Sequence, residues 1–168
     1  MANQTPTSRL IGANFSSNDS TMLFALGTQA NGTNGALYEY VCATATLNTG
    51  QLCFINPAGS AQMLQTASLT ANANGLQIGA AQNIIDQGNY GWVAVHGQNL
   101  YVMCTGTVTA GGENGVAFSA NSGRPQNAPA CGVGATCFGI YITTSASTAT
   151  ASVAVATLVW PRGVLMNQ

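Results

Sequence analysis

The sequence predicts an all-β fold, an antiparallel barrel or sandwich of short strands carrying an extended N-terminal arm. Three observations lead there. Apolar residues alternate with period two along most of the chain. The alternating runs are short and are separated by Asn-Gly, Thr-Gly, Pro-Ala-Gly and Gly-Gly steps of the kind that hairpin turns demand. No segment shows a convincing amphipathic period of 3.6 residues, and 20 glycines together with many β-branched residues lower helix propensity further.

In chain order, residues 1–35 are set apart as an arm with a first strand, Thr21–Leu26, because Asn3–Ser20 and Gln29–Gly35 are polar and turn-rich around one apolar island, Met22–Leu26. The barrel or sandwich then occupies residues 36–168. In Ala36–Thr46, Leu37, Glu39, Val41 and Ala43 alternate with Tyr38, Tyr40 and Cys42, the pattern of a strand packed on both faces. Gln51–Asn56, Gln62–Ser68 and Leu76–Asn83 follow as strands, with one short turn of helix expected over Asn83–Gln87. Tyr90–His96 and Leu100–Val108 come next, then Gly115–Ala120 inside Gly111–Ala130, a stretch that contains Arg124-Pro125 and Pro129 and reads as a long loop. Cys137–Thr144 and Ser152–Trp160 close the series, and Gly163–Gln168 is a short tail.

Charge is the most informative part of the composition. Charged residues make up 4% of the chain, against roughly a quarter in an average soluble domain. There is no lysine; the cations are Arg9, Arg124 and Arg162, the anions Asp19, Glu39, Asp86 and Glu113, and the net charge is −1. A solitary soluble domain keeps its neighbours away with a mixed, charged surface. A surface of Ser, Thr, Asn, Gln, Gly and Ala desolvates at much lower cost, since hydroxyls and amides are cheaper to bury than ions. The composition therefore points to a chain that works among other subunits.

The same numbers exclude function classes. Three dispersed arginines cannot neutralise a nucleic-acid backbone. The most apolar stretch, Ala151–Trp160, is far short of the roughly 20 residues of a spanning helix, so neither nucleic acid nor a membrane is an expected partner. The N-terminal MANQTPTSRL lacks the basic-then-apolar order of a signal peptide, and synthesis in a reducing cytoplasm is expected. Five cysteines, Cys42, Cys53, Cys104, Cys131 and Cys137, are odd in number and without a CxxC spacing, which argues against both a disulfide framework and a zinc site. Cys131 and Cys137 could close a small loop if oxidised.

No constellation of catalytic type emerges. The single histidine, His96, closes Tyr90-Gly91-Trp92-Val93-Ala94-Val95-His96 and by alternation shares a face with Trp92 and Ala94. Asp86 and Glu39 are the acids available to orient it, but nothing in the spacing assembles a nucleophile, base and orienter, and a strand-end or interface histidine is the expectation. The four acids are too scattered for paired-carboxylate hydrolysis; Arg124 and Glu113 are a plausible pair within the long loop. No enzymatic activity, cofactor or metal is expected.

Several elements stand in an order that resembles a known group. They are Tyr38-Glu39-Tyr40-Val41; Gly75-Leu76-Gln77-Ile78-Gly79-Ala80-Ala81-Gln82; Gly88-Asn89-Tyr90-Gly91-Trp92-Val93 running to His96-Gly97; Gly139-Ile140-Tyr141-Ile142-Thr143; and Leu158-Val159-Trp160-Pro161-Arg162. From Tyr38 to Pro161 the chain resembles the capsid decoration, or cement, proteins of tailed bacteriophages. The resemblance implies a protein that sits on the outside of an assembled shell, bound to the major capsid protein, as a homo-oligomer (a trimer first), on virions made in the host cytoplasm. It transfers no catalytic residue. The candidate interface or core anchors are Tyr90, Trp92, His96, Arg124, Trp160 and Arg162, the aromatics because large amphipathic rings dominate cores and interfaces alike. Removing Met1–Gly35 is expected to leave the core folded and to weaken incorporation. A tail or fibre component, a shell-forming subunit and a secreted carbohydrate-binding module are the rival expectations.

Overall fold

The structure, a computed structural model, describes residues 13–64, 76–104, 110, 116–118, 125–126, 135–144 and 152–165. It is all-β, with no helix among the described residues. The strands are β1 (Gln29–Asn31), β2 (Leu37–Ala43), β3 (Leu52–Ile55), β4 (Ser60–Met63), β5 (Gln77–Ala81), β6 (Tyr90–Cys104), β7 (Val116–Phe118), β8 (Pro125–Gln126), β9 (Ala135–Ile142) and β10 (Ser152–Leu165). Neighbouring strands run in the order β2-β4-β3-β5-β6, and β6 pairs back onto β2, so these five close a barrel. β10, β9, β7 and β8 extend the sheet beyond β6, and β1 is added at β2.

One pairing departs from the antiparallel expectation. β2 and β4 run parallel, through only two register pairs, Cys42 with Ser60 and Ala43 with Ala61. This short parallel seam closes the barrel, and nearer its start β2 pairs instead with β1, Gln29 standing opposite Glu39.

Alternation along the barrel strands sorts their side chains into two sets. Val41, Ala43, Cys53, Ile55, Ala61, Ala81, Val93 and Val95 pack with Leu47 and Ile85; drawn from all five strands and mostly small, they fill the narrow barrel interior. Gly79 belongs to that lining, and a Cβ there would come within 2.9 Å of a Val93 methyl. The other set, Tyr38, Tyr40, Leu52, Phe54, Ile78, Ala80, Trp92 and Ala94, packs on Phe15, Ala30, Leu100, Val102, Ile140, Ala154, Ala156 and Leu158, outside the barrel.

The N-terminal segment lies on that outer layer. Phe15 stacks on Tyr38 at 4.1 Å and meets Trp92 edge-on at 5.3 Å, and Phe24 meets both Tyr40 and Trp92 at 5.3 Å. Asp19 and Tyr90 exchange backbone hydrogen bonds, and Asn18 bonds to Asp86 and Asn89. From Ala13 onward the arm therefore packs on its own barrel, and cutting at Gly35 would strip Phe15 and Phe24 from Trp92. The informative truncation ends at Gly12, outside the described residues.

Other details differ from the sequence reading. Thr21–Leu26 is not a strand: Phe24 turns into the aromatic layer while Met22 and Leu23 stay exposed. Asn83–Gln87 forms no helical turn, because Ile85 is drawn into a bridge with Leu47. The runs Tyr90–His96 and Leu100–Val108 are parts of one strand, β6, bent at Gly97 and Asn99, which have φ of 133° and 56°. Within Gly111–Ala130, β7 and β8 pair as a short hairpin. β10 runs on to Leu165, so the predicted tail begins as strand.

The bend in β6 depends on glycine. A Cβ at Gly97 would lie 2.6 Å from the Cα of Ala36, and φ there is one that L side chains rarely adopt. Gly97→Ala should therefore lower stability by about 2–4 kcal/mol, the sum of backbone strain and overpacking, read as an earlier urea midpoint at unchanged slope.

Candidate interaction surface

β6, β10 and β9 lie side by side, and their alternation gives the three strands one buried and one outward face. Ala154, Ala156 and Leu158 of β10 and Ile140 and Ile142 of β9 are buried, while Val153, Tyr141 and Val159 are exposed. Register places Met103 opposite Val153, Tyr101 opposite Val155, and Tyr141 opposite Thr157, so these residues share the outward face. No charged residue occurs in 97–104, 139–144 or 153–160. An uncharged face rich in Val and Tyr is the kind of surface that marks an interaction site when left open.

Two irregularities shape one end of this face. On β10, Val159, Trp160 and Pro161 all stand opposite Gly139, since Leu158 pairs with Ile140 and Arg162 with Phe138. Gly139 has φ of 83°, and a Cβ on it would run into the carbonyl oxygen of Val159. The bulge puts Trp160 at φ of 45°, a left-handed conformation that costs a bulky residue roughly 1–2 kcal/mol. Val159 and Trp160 are consequently both exposed, at 45% and 44%, although strand alternation would bury one of them. Trp160 leans on His96, ring centroids 5.6 Å apart, and His96 is paired across the ladder with Val159.

The sequence-designated anchors thus separate. His96 and Trp160 come together on the surface. Trp92 is 1% exposed and forms the centre of the aromatic layer with Phe15, Phe24 and Tyr40; it is a core anchor. Tyr90 is half-buried at the edge of that layer, 6.2 Å from Tyr40. Arg124 lies outside the described residues, and Arg162 is placed by its backbone alone, opposite Phe138 and Gln77. Tyr141, Val153 and Val159 were not singled out by sequence reasoning; their common face depends on the register between β9 and β10.

The remaining chemistry-bearing groups lie elsewhere. Asp19 accepts hydrogen bonds from Ser17 and Tyr40, Asp86 from Asn18, and Glu39 from Gln29 and Gln77; among the described residues their partners are amides and hydroxyls. The Arg124–Glu113 pair and the Cys131–Cys137 bridge fall outside the described side chains. Among the described residues, no group of three His, Cys, Asp or Glu could hold a metal ion, and no helix is long and apolar enough to cross a membrane.

Cys53 and Cys104 are fully buried free thiols. Burial pushes Cys53 up to about 12, the charge of Glu39 adding to it, and burial pushes Cys104 up to about 11. Both shifts run against nucleophile activation, which requires a lowered thiol pKa. A raised folded-state value means that the associated stabilisation is complete below the ordinary thiol value of 9.0 and is lost as pH rises towards about 12. Iodoacetamide at pH 8 should accordingly leave Cys53 and Cys104 unmodified until denaturant is added, as peptide mass mapping would show.

No family model and no curated protein matches the sequence.

Proposed function

We propose that the chain is a structural protein of a virion, binding the outside of an assembled phage capsid and stabilising it. The observation that carries this reading is the open outward face of β6, β10 and β9, apolar and uncharged, with Trp160 held out at one end by a strained bulge. Such a face buries area against a neighbour without stranding ions. The shortage of charge in the whole chain, and the ordering of sequence elements from Tyr38 to Pro161, favour the same reading. Each copy would touch several neighbours, so modest contacts would combine through multivalency into stable attachment. The partner is the major capsid protein, and a homo-oligomer, trimeric first, is the form in which the protein would attach.

Trp160→Gly separates attachment from folding. Glycine adopts the positive φ without strain, which offsets the packing lost from His96, so stability should stay within about 1 kcal/mol of the parent. Occupancy on capsids, measured by electron microscopy and gel densitometry of purified particles, should fall several-fold. Unchanged occupancy would remove Trp160 from the interface, and failure of the parent protein to bind capsids would sink the reading.

A second reading has its own observation. Tyr141 and Trp160 are exposed aromatic rings, the kind that stack on sugars, and would suit a tail or fibre component, or a carbohydrate-binding module. A glycan array separates the two: selective binding by the purified chain, abolished in Trp160→Gly, favours recognition of a host or other sugar.

A further inference from the structure

Glu39 belongs to the interior set of β2, with Leu37, Val41 and Ala43, and is 7% exposed. The carboxylate stands where the parallel seam between β2 and β4 gives out. On the N-terminal side of Cys42 the two strands do not pair, and a cleft of about 210 Å³ lies there, lined by Glu39, Ile55, Asn56, Pro57, Leu76 and Gln77 together with Gly27 and Gly59.

The hydrogen bonding of this carboxylate is one-sided. The Nε2 amides of Gln29 and Gln77 both donate to Oε2, at 3.1 and 3.2 Å. A carboxylate offers about four acceptor positions, and Oε1 accepts no hydrogen bond among the described residues. Gln77 gives one of its two amide N–H groups to Glu39, and its carbonyl oxygen is a further acceptor at the cleft beside the second N–H. Among the described residues no cation partners this carboxylate, and a ligand that donates N–H bonds and carries positive charge would supply one. Ile55, Pro57 and Leu76 supply apolar wall along which the methylenes of such a ligand can lie. A metal ion is disfavoured, since the lining has one carboxylate and neither imidazole nor thiolate.

We propose that the cleft at the open seam binds an organic cation with N–H donors, a guanidinium or alkylammonium group, with Glu39 Oε1 as its counter-ion. The group arrives either on a free small molecule or as a side chain of a neighbouring polypeptide.

The test uses the full chain and backbone-amide NMR. Methylguanidinium should give a saturable response at Ile55, Asn56, Gly59 and Gln77, with Kd on the order of millimolar. Glu39→Gln should weaken binding at least about tenfold. Leu76→Phe, which fills the cleft and keeps the carboxylate, should weaken it similarly and decides the matter if the first variant fails to fold. Tetramethylammonium has the charge without the N–H groups and should not saturate. N-acetylarginine methylamide binding as tightly as methylguanidinium assigns the site to a protein arginine; propylammonium or methylguanidinium binding without it assigns a free ligand. The proposal is overturned if the parent chain shows no saturable response, if Glu39→Gln binds equally well, or if tetramethylammonium matches methylguanidinium. Binding that appears only in Arg162→Ala would also overturn it, by showing that the chain's own guanidinium fills the cleft.

Discussion

Trp92→Ala should lower the unfolding free energy by about 3–5 kcal/mol, the range for removing a large aromatic from a core, and should unfold much of the N-terminal segment with it. Trp92 is in contact with Phe15, Phe24 and Tyr40 at ring distances of 5.0–5.3 Å, and Phe15 and Phe24 bring residues 13–28 onto the barrel. Size, not polarity, is responsible. The indole Nε1 is buried without a hydrogen-bond partner, so its N–H contributes an unmet desolvation cost. Trp92→Phe should therefore cost well under half of what the alanine variant costs, about 1–2 kcal/mol. Urea unfolding of the two variants measures both figures, and hydrogen exchange at residues 13–28 shows whether the segment detaches. Equal losses in the two variants would mean that the indole N–H matters in a way the buried geometry does not show.

The largest effect on attachment is expected from placing a charge on the outward face. Val153 is 51% exposed and lies opposite Met103, away from the core. Val153→Asp should leave the urea midpoint nearly unchanged, because surface substitutions outside special sites stay within roughly 0.5 kcal/mol. If the face is covered in the assembly, the same carboxylate becomes buried without a partner, at several kcal/mol per copy. Occupancy on capsids should then fall by a factor of about a hundred or more, since 1.4 kcal/mol is already tenfold. A double variant adding a lysine at the opposite position, Met103→Lys, should restore only part of the binding, because the pair would still be desolvated together. Normal decoration by Val153→Asp would exclude this face as the contact.

Much of the architecture was legible in the residues. Alternation in Leu37–Ala43 marked a strand packed on both sides, and it already placed Glu39 among Leu37, Val41 and Ala43, the interior set. The places of β3 and β5 follow from apolar runs between turn residues, and β9 lies two residues earlier than the run Cys137–Thr144 that announced it. What escaped was long-range. Gly97-Gln98-Asn99 reads as a turn because it interrupts the apolar pattern, yet the strand continues through it as a bend, held by the close approach of Ala36. The parallel pairing of β2 with β4 has no local signature, since an intervening strand separates them. A helical turn was expected over Asn83–Gln87, but Leu47, 38 positions before Ile85, draws that residue into a bridge. The surface formed by His96 and Trp160 required the β6–β10 register, which a sequence does not display; Gly139 was its one local hint, a glycine inside a strand pattern, which often signals a bulge.

The position of β10 has a consequence for how the protein is made. The barrel needs only β2 to β6, so on a ribosome it can close before residues 152–165 have been translated. β10 is then the last of these strands to arrive, adding along the far half of β6 and contributing Val153, Val159 and Trp160. The outward face of β6, β10 and β9 is completed only after the barrel has closed, and until β10 arrives the edge of β6 and the apolar layer around Leu100 and Val102 stay open to a wrong neighbour.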